Sequence, residues 1–119
     1  ISILLSQNKS FGNSTVTVAH SRSKDLEKLC LDSDIIISAI GIPEFIKGNM
    51  IKKGSSIIDV GITRVDDLSS PKGYKIVGDV DFKSVSNTVG YITPVPGGVG
   101  PMTISMLLKN TLKACEISD

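Results

Sequence analysis

Hydrophobic and polar residues form short alternating blocks along the chain, and these blocks predict strands and helices in turn. Runs of β-branched and aliphatic residues at 15–19, 34–39 and 56–60 predict three buried strands. The run at 34–39 is almost continuously apolar, which is typical of a parallel strand covered on both faces. Shorter apolar runs predict an edge strand at 74–78 and a last strand at 91–93.

Apolar residues at helical spacing predict two main helices. The first is expected to begin with Ser23 as its cap, and its inner face contains Leu26, Leu29 and Cys30. The second runs from about residue 101 to residue 117, where Pro101 suits the first turn. Its apolar stripe consists of Ile104, Leu107, Leu108, Leu112 and Cys115.

The remaining segments are shorter. Residues 1–5 are predicted to form the end of a helix, and short helices are expected at 43–48 and 82–87. The polar stretch at 64–72 is predicted to be a surface loop. Strands that alternate with helices at this spacing predict an α/β domain with a parallel, doubly wound sheet.

Composition narrows the picture to one ordinary globular domain of 119 residues, 40% hydrophobic and 21% charged. A net charge of +1 with scattered basic residues predicts no nucleic-acid partner, and no apolar run is long enough to predict a membrane span. Cys30 and Cys115 fall on apolar helix positions without any Cys-x-x-Cys motif. They are predicted to be buried free thiols of a reducing compartment, and no metal site is expected.

The segment 93–103 is unusual because it holds three prolines and three glycines within eleven residues. Proline fixes φ and glycine permits positive φ, so the segment can hold one shape at low entropic cost. It is not a Gly-x-Gly-x-x-Gly fingerprint, since it lies at the end of the chain and not after the first strand. Two readings stay open: a rigid connector before the last helix, or a surface where a flat ligand rests on backbone.

The string PVPGGVGPMT within this segment resembles the signature of the methylenetetrahydrofolate dehydrogenase/cyclohydrolase family. The segments 17–23, 41–48, 58–62 and 77–81 are similar to other blocks of that family, in its order and spacing. Together they cover nearly the whole chain. The resemblance implies a Rossmann-like parallel sheet flanked by helices, with residues 1–119 as an NAD(P)-binding domain fragment of a two-domain folate enzyme.

Two family motifs do not occur in the chain: the Tyr-x-x-x-Lys pattern of the catalytic N-terminal domain and the Gly-Arg-Ser-x-x-Val-Gly cofactor loop. The resemblance therefore implies that this domain is absent and that the sheet lacks its first strand and glycine loop. A sheet without that strand is expected to expose two unpaired edges. No catalytic residue is expected in this chain, and the isolated fragment is predicted to be inactive.

Ligands of open parallel sheets bind beyond the carboxyl ends of the strands, where His20, Ser21 and Arg22 form one predicted turn. A hydroxyl and a cation there suit the 2′-phosphate of NADP, where an NAD enzyme would carry an acidic residue. The resemblance makes Ser21 an NADP contact, while two readings of Arg22 stay open, a phosphate contact and a solvated surface residue. His20 is expected to have a structural or cofactor-edge position and not to act as a general base.

The other candidates follow later strands. Gly41 and Gly61 either let backbone approach a ligand or only terminate their strands, and the resemblance gives Ile62 a cofactor contact. Asp59 lies inside an apolar strand, so it needs a hydrogen-bond partner and is expected to be structural. The cofactor-binding candidates are Ser21, Arg22, Gly41, Gly61, Ile62 and Thr103. The resemblance implies that the folate pocket is lined by Pro96, Gly97, Gly98, Val99, Gly100 and Pro101.

The resemblance implies a function for the full-length protein within one-carbon metabolism and purine biosynthesis. It would oxidise 5,10-methylenetetrahydrofolate with NADP and hydrolyse the methenyl product to 10-formyltetrahydrofolate. This chain would supply the cofactor rim and part of the folate pocket of a cytoplasmic homodimer, with an organellar location left open. The alternative is a non-catalytic nucleotide-binding or interaction module that retains the fold. Upstream coding sequence with the two missing motifs would discriminate between them.

Overall fold

The computed structural model describes residues 1–118, which form short elements and one long terminal helix. In chain order the helices are α1 (Ser2–Ser6), α2 (Leu26–Leu31), α3 (Phe82–Val85) and α4 (Val99–Ser118), with a 3-10 helix at Gly48–Met50. The strands are β1 (Ile35–Ser38), β2 (Ser56–Asp59), β3 (Thr63–Asp66), β4 (Tyr74–Val77) and β5 (Tyr91–Ile92).

The main sheet is parallel, with the strand order β1-β2-β5. Its register places Ile36 opposite Ile57, and Ile57 opposite Ile92 on the other side. Parallel strands need crossover connections, and these are provided by the helical segments between them. The predicted Rossmann-like parallel sheet flanked by helices is confirmed.

The core lies where the sheet meets α2 and α3, and its side chains are aliphatic. Ile57 of β2 and Val85 of α3 are 1% and 0% exposed. Cys30 of α2 joins this cluster as predicted, and burial raises the pKa of its thiol. Each fully buried aliphatic side chain contributes roughly 1.5–3 kcal/mol relative to an exposed one, so this small cluster organises the domain.

A β-hairpin replaces part of the predicted surface loop at 64–72. β3 pairs with β4 in antiparallel register, with Thr63 opposite Val77 and Asp66 opposite Tyr74. Arg64 lies over the ring of Tyr74 at 3.7 Å, a cation–π contact that the polar sequence pattern did not reveal. The strand predicted at 74–78 is therefore present, but it belongs to a separate two-stranded sheet.

The strand predicted at 15–19 is wrong, because those residues form no strand in the structure. Their β-branched composition favours extended backbone, but a strand also needs a neighbour to pair its N–H and C=O groups. Among residues 1–118, β1 is paired only with β2, and its other edge carries no strand. Val18 is accordingly 68% exposed.

Two helix predictions also need correction. Ser23 does not cap α2, because its Oγ accepts a hydrogen bond from the His20 amide, and Asp25 occupies the cap position. No helix forms at 43–47, because the Ile46 amide donates to the carbonyl of Asp79 and the Ile46 carbonyl accepts from the Asp81 amide. That strand-like bridge uses the groups a helix would need. The predicted helix at 82–87 is present as the shorter α3.

α4 is longer than predicted at its start, and its predicted apolar stripe is exposed. Leu107 and Leu108 are 65% and 68% exposed. Cys115, predicted to be buried, is an exposed thiol, and all residues from 101 to 117 of α4 are exposed with it. No helix within residues 1–118 combines the length and apolarity that a membrane crossing requires.

Candidate functional site

The carboxyl ends of β1, β2 and β5 meet at one edge of the sheet, and a cavity of about 240 Å³ lies there. One wall is the turn after β2, which contains Gly61 and Ile62. The opposite wall is the proline- and glycine-rich segment together with Thr103 of α4. The structure thus brings together eight of the predicted site residues: Gly61, Ile62, Pro96, Gly97, Gly98, Val99, Gly100 and Thr103.

The glycines around this cavity have different physical reasons to be glycine. Gly97 has φ 98°, and a Cβ there would meet open space within 4 Å. A Cβ at Gly98 would instead strike the carbonyl oxygen of Pro94. Gly98 therefore permits the segment to fold back on itself, whereas Gly97 leaves bare backbone at the cavity.

The two strand-end glycines also differ, which separates the readings that the sequence left open. Gly41 has φ 76° with open space around it, so its turn requires glycine. A Cβ at Gly61 would strike the carboxylate of Asp79. Gly61 is therefore needed for close packing against a buried side chain, a reason that neither reading contained.

Asp59, at the end of β2, is 3% exposed and accepts three backbone hydrogen bonds. Its Oδ1 accepts from the amides of Gly61 at 2.9 Å and Asp79 at 3.1 Å. Its Oδ2 accepts from the amide of Val80 at 3.0 Å. The prediction that Asp59 has hydrogen-bond partners is confirmed, and they satisfy a group that would be costly to bury alone.

Asp79 is a second buried carboxylate, which the sequence analysis missed. It is 0% exposed, and its oxygens accept from the Ile40 amide at 2.6 Å and the Gly41 amide at 3.0 Å. The hydroxyl of Ser38 donates to it at 3.2 Å. An aspartate between Gly78 and Val80 was the available signal, because an acidic residue in an apolar block needs buried partners.

Thr93 fixes the start of the proline- and glycine-rich segment against β2. Its Oγ1 accepts from the Asp59 amide at 2.9 Å, and its own amide donates to the Ile57 carbonyl at 3.1 Å. The cavity wall therefore begins from a defined point on the sheet.

The His20–Arg22 turn lies outside the cavity, as do Gly41 and Pro101. Arg22 donates its amide to Nδ1 of His20 at 3.1 Å, so the imidazole shapes the turn. This contact fits the structural position expected for His20. The side chains of Ser21 and Arg22 are exposed, and they do not line this cavity.

A larger cavity of about 380 Å³ includes residues 93–95 in its lining. β4 and α3 line it with Ile76, Val77 and Phe82. Its charged lining residues are Glu44, Asp59, Asp81 and Lys83. Within residues 1–118, no group of three or more His, Cys, Asp or Glu side chains is placed to hold a metal ion.

An open parallel sheet with a cavity at its carboxyl ends and glycine turns around it defines a Rossmann-like, dinucleotide-binding class of domain. The sequence matches, over residues 1–119, the family model described as the tetrahydrofolate dehydrogenase/cyclohydrolase NAD(P)-binding domain. The chain belongs to this family.

Relatives and solved structures agree with that assignment. The chain is 61% identical to the bifunctional protein FolD of Flavobacterium johnsoniae over 96% of its own length and 39% of that protein. It superposes with a TM-score of 0.79 and 50% identity on the FolD enzyme of Trypanosoma brucei, complexed with NADP cofactor and inhibitor, covering 88% of this chain and 36% of that one. It superposes on a methylenetetrahydrofolate dehydrogenase of the silkworm Bombyx mori with a TM-score of 0.82 and 44% identity, covering 98% of this chain and 40% of that one. The chain thus spans about two fifths of the length of the relatives it matches.

Proposed function

We propose that this chain is the NADP-binding part of a bifunctional methylenetetrahydrofolate dehydrogenase/methenyltetrahydrofolate cyclohydrolase. The observation that carries the proposal is the cavity in which the Gly61–Ile62 turn faces the proline- and glycine-rich segment. The full-length protein would contain an additional catalytic domain and act as a cytoplasmic homodimer. Its relatives are named bifunctional proteins, and this supports both activities.

NADP supplies the hydride acceptor when it is bound, so the protein groups around it serve to bind and to orient. The cavity suits this role because glycine backbone and apolar side chains form most of its walls, with space over Gly97 and Gly100 that a flat ring can occupy. The Gly61–Ile62 turn would hold the nicotinamide end from the sheet side. Gly97 and Gly98 would hold the folate ring from the other side, which brings donor and acceptor together.

The preference for NADP would arise at the His20–Arg22 turn. Ser21 offers a hydroxyl and Arg22 a guanidinium, and both side chains are exposed to an incoming phosphate. Charge-assisted bonds of this kind are worth about 1.5–3 kcal/mol each. No acidic residue stands at 20–22 to repel the 2′-phosphate.

This chain would supply no acid/base group. Asp59 is the only titratable residue among those that line the cavity within the described chain, and backbone amides already occupy its oxygens. The family's lysine, in its Tyr-x-x-x-Lys pattern, does not occur here. The isolated chain would therefore be inactive.

The same observation favours a second candidate, a non-catalytic nucleotide-binding module. Reading the coding sequence upstream of Ile1 for the two missing motifs tests this alternative first. The decisive experiment is an assay of the purified full-length protein for NADP reduction with 5,10-methylenetetrahydrofolate and for hydrolysis of the methenyl product. Turnover of both substrates supports the enzyme. NADP binding without either turnover supports the module.

A further inference from the structure

We propose that Asp59 and Asp79 are positioning residues that hold the cofactor turns after β1 and β2 at a fixed distance from each other. The inference rests on the proposed function, because it identifies what sets the geometry of that same cofactor site. Neither carboxylate would touch the cofactor itself. Both act through the backbone amides that they accept.

Asp79 holds the turn after β1. Its carboxylate accepts the amides of Ile40 and Gly41, the two residues that lead away from the strand end toward the cofactor edge. The hydroxyl of Ser38 in β1 orients the same carboxylate. Gly41 has φ 76°, and it has no side chain through which the turn could pack. The two hydrogen bonds from the Ile40 and Gly41 amides tether this turn to the Asp79 carboxylate.

Asp59 holds the turn after β2 and connects it to the first. One oxygen of Asp59 accepts both the Gly61 amide and the backbone amide of Asp79, and the other accepts the Val80 amide. The Gly61 turn, Asp59, Asp79 and the Gly41 turn thus form one continuous hydrogen-bonded chain. Thr93 extends it to the start of the proline- and glycine-rich segment, because its Oγ1 accepts a hydrogen bond from the Asp59 amide.

Two glycines leave room for this arrangement and for nothing larger. A Cβ at Gly61 would strike the Asp79 carboxylate, and a Cβ at Gly78 would strike the Asp59 carboxylate. The two acceptors are nearly inaccessible to water, at 3% and 0% exposure. A displaced turn amide would therefore find no replacement partner, so the carboxylates specify one arrangement of the turns.

Asparagine at either position removes one acceptor oxygen and places an NH₂ donor against backbone donors. The effect is predicted to be local, because the aliphatic core around Ile57 and Val85 remains intact. Asp67 provides a matched control. It also accepts a backbone amide and a hydroxyl, both from Ser69, but it lies in the exposed β3–β4 turn.

The test compares Asp79→Asn, Asp59→Asn and Asp67→Asn in the full-length protein by steady-state kinetics and amide hydrogen exchange. In Asp79→Asn and Asp59→Asn, we expect KM for NADP to rise about tenfold. KM for 5,10-methylenetetrahydrofolate should stay within about threefold of the wild-type value. Ile40 and Gly41 amides should exchange faster in Asp79→Asn, and the Gly61 amide should do so in Asp59→Asn. Asp67→Asn should change neither readout.

Equal effects on both KM values, or unchanged exchange at the turn amides, would overturn the proposal, because either result describes a general structural role. If Asp79→Asn does not fold, Ser38→Ala removes only the orienting hydroxyl and is judged by the same readouts. Faster exchange at Ile40 and Gly41 with a raised KM for NADP then supports the proposal, and no change in either overturns it. If the wild-type protein shows no turnover, the proposed function is wrong. Amide hydrogen exchange at Ile40, Gly41 and Gly61 then still tests whether the two carboxylates hold the turns.

Discussion

The strand-end turns and the helix α4 differ in how their side chains are buried and paired. At the strand ends, the Asp79 carboxylate is 0% exposed and accepts three hydrogen bonds from this chain. On α4, Leu108 is 68% exposed although it belongs to a regular apolar stripe. The Ile40 and Gly41 amides of the turn after β1 are paired within residues 1–118, whereas the apolar stripe of the helix is exposed there. An apolar pattern thus predicts an element but not where its partner lies.

The broadest consequence concerns activity. The 119-residue chain alone should show no NADP reduction with 5,10-methylenetetrahydrofolate and no cyclohydrolase activity. Within residues 1–118, Asp59 is the only titratable residue that lines the proposed cofactor cavity, and backbone amides occupy its oxygens. An enzyme whose catalytic groups act as a unit loses nearly all of its activity when one of these groups is missing. A spectrophotometric assay of the purified chain checks this, with the full-length protein as positive control. Measurable hydride transfer by the chain would contradict it.

The contrast between core and exposed helix can be measured as stability. Ile57→Ala removes a side chain that is 1% exposed, and it should reduce the free energy of unfolding by about 2–5 kcal/mol. Leu108→Ala should stay within about 0.5 kcal/mol in the same 119-residue chain, because alanine favours helices and little packing is lost. Urea unfolding followed by circular dichroism measures both. A large loss for Leu108→Ala would show that α4 packs against this domain.

The glycines of the cavity allow a sharper comparison. Gly97→Val should reduce kcat/KM for folate in the full-length protein by one to a few orders of magnitude, roughly 1–4 kcal/mol, because its side chain projects into the cavity. Gly73→Val is the matched control, since Gly73 also has positive φ, 71°, and open space but lies in the β3–β4 turn. It shares the backbone strain and should leave kcat/KM nearly unchanged. Equal losses in both variants would assign the effect to strain alone.

Cofactor preference should respond to the exposed turn at 20–22. Ser21→Asp places a negative charge where the 2′-phosphate would bind, so the NADP-to-NAD ratio of kcat/KM should fall about ten- to hundredfold. Arg22→Ala should act more weakly, because its exposed side chain is free to move. The full-length protein is required, since the family's Gly-Arg-Ser motif does not occur in this chain. An unchanged ratio in Ser21→Asp would remove this turn from the cofactor site.

Much of the sheet was predictable because its strands are apolar and contiguous, as at Ile35–Ser38 and Ser56–Asp59. The strand β3 and its pairing with β4 were not predictable, because polar residues alternate with other residues in β3. The contact between Arg64 and the ring of Tyr74 also joins residues that are distant in sequence. The strand prediction at 15–19 was wrong for the opposite reason. These residues have high β-propensity, but no strand pairs with them among residues 1–118.

The site shows a similar division. The proline- and glycine-rich segment was recognisable from its composition and from its resemblance to a family signature, and it does line the cavity. The apolar block around Asp79 indicates that its carboxylate needs buried partners, but it does not indicate which ones. Those partners, the Ile40 and Gly41 amides, are 39 and 38 residues away in the sequence, so only the three-dimensional structure identifies them.

The most direct test of the central claim is a map of where NADP protects the full-length protein from amide hydrogen exchange. We predict protection at 20–22, 40–41, 61–62 and 97–103, the turns that would form the cofactor site. The β3–β4 turn at 67–73 should remain unchanged, because none of its residues lines the cavity. Saturating NADP that leaves all four segments unprotected, or protects 67–73 instead, would contradict the account.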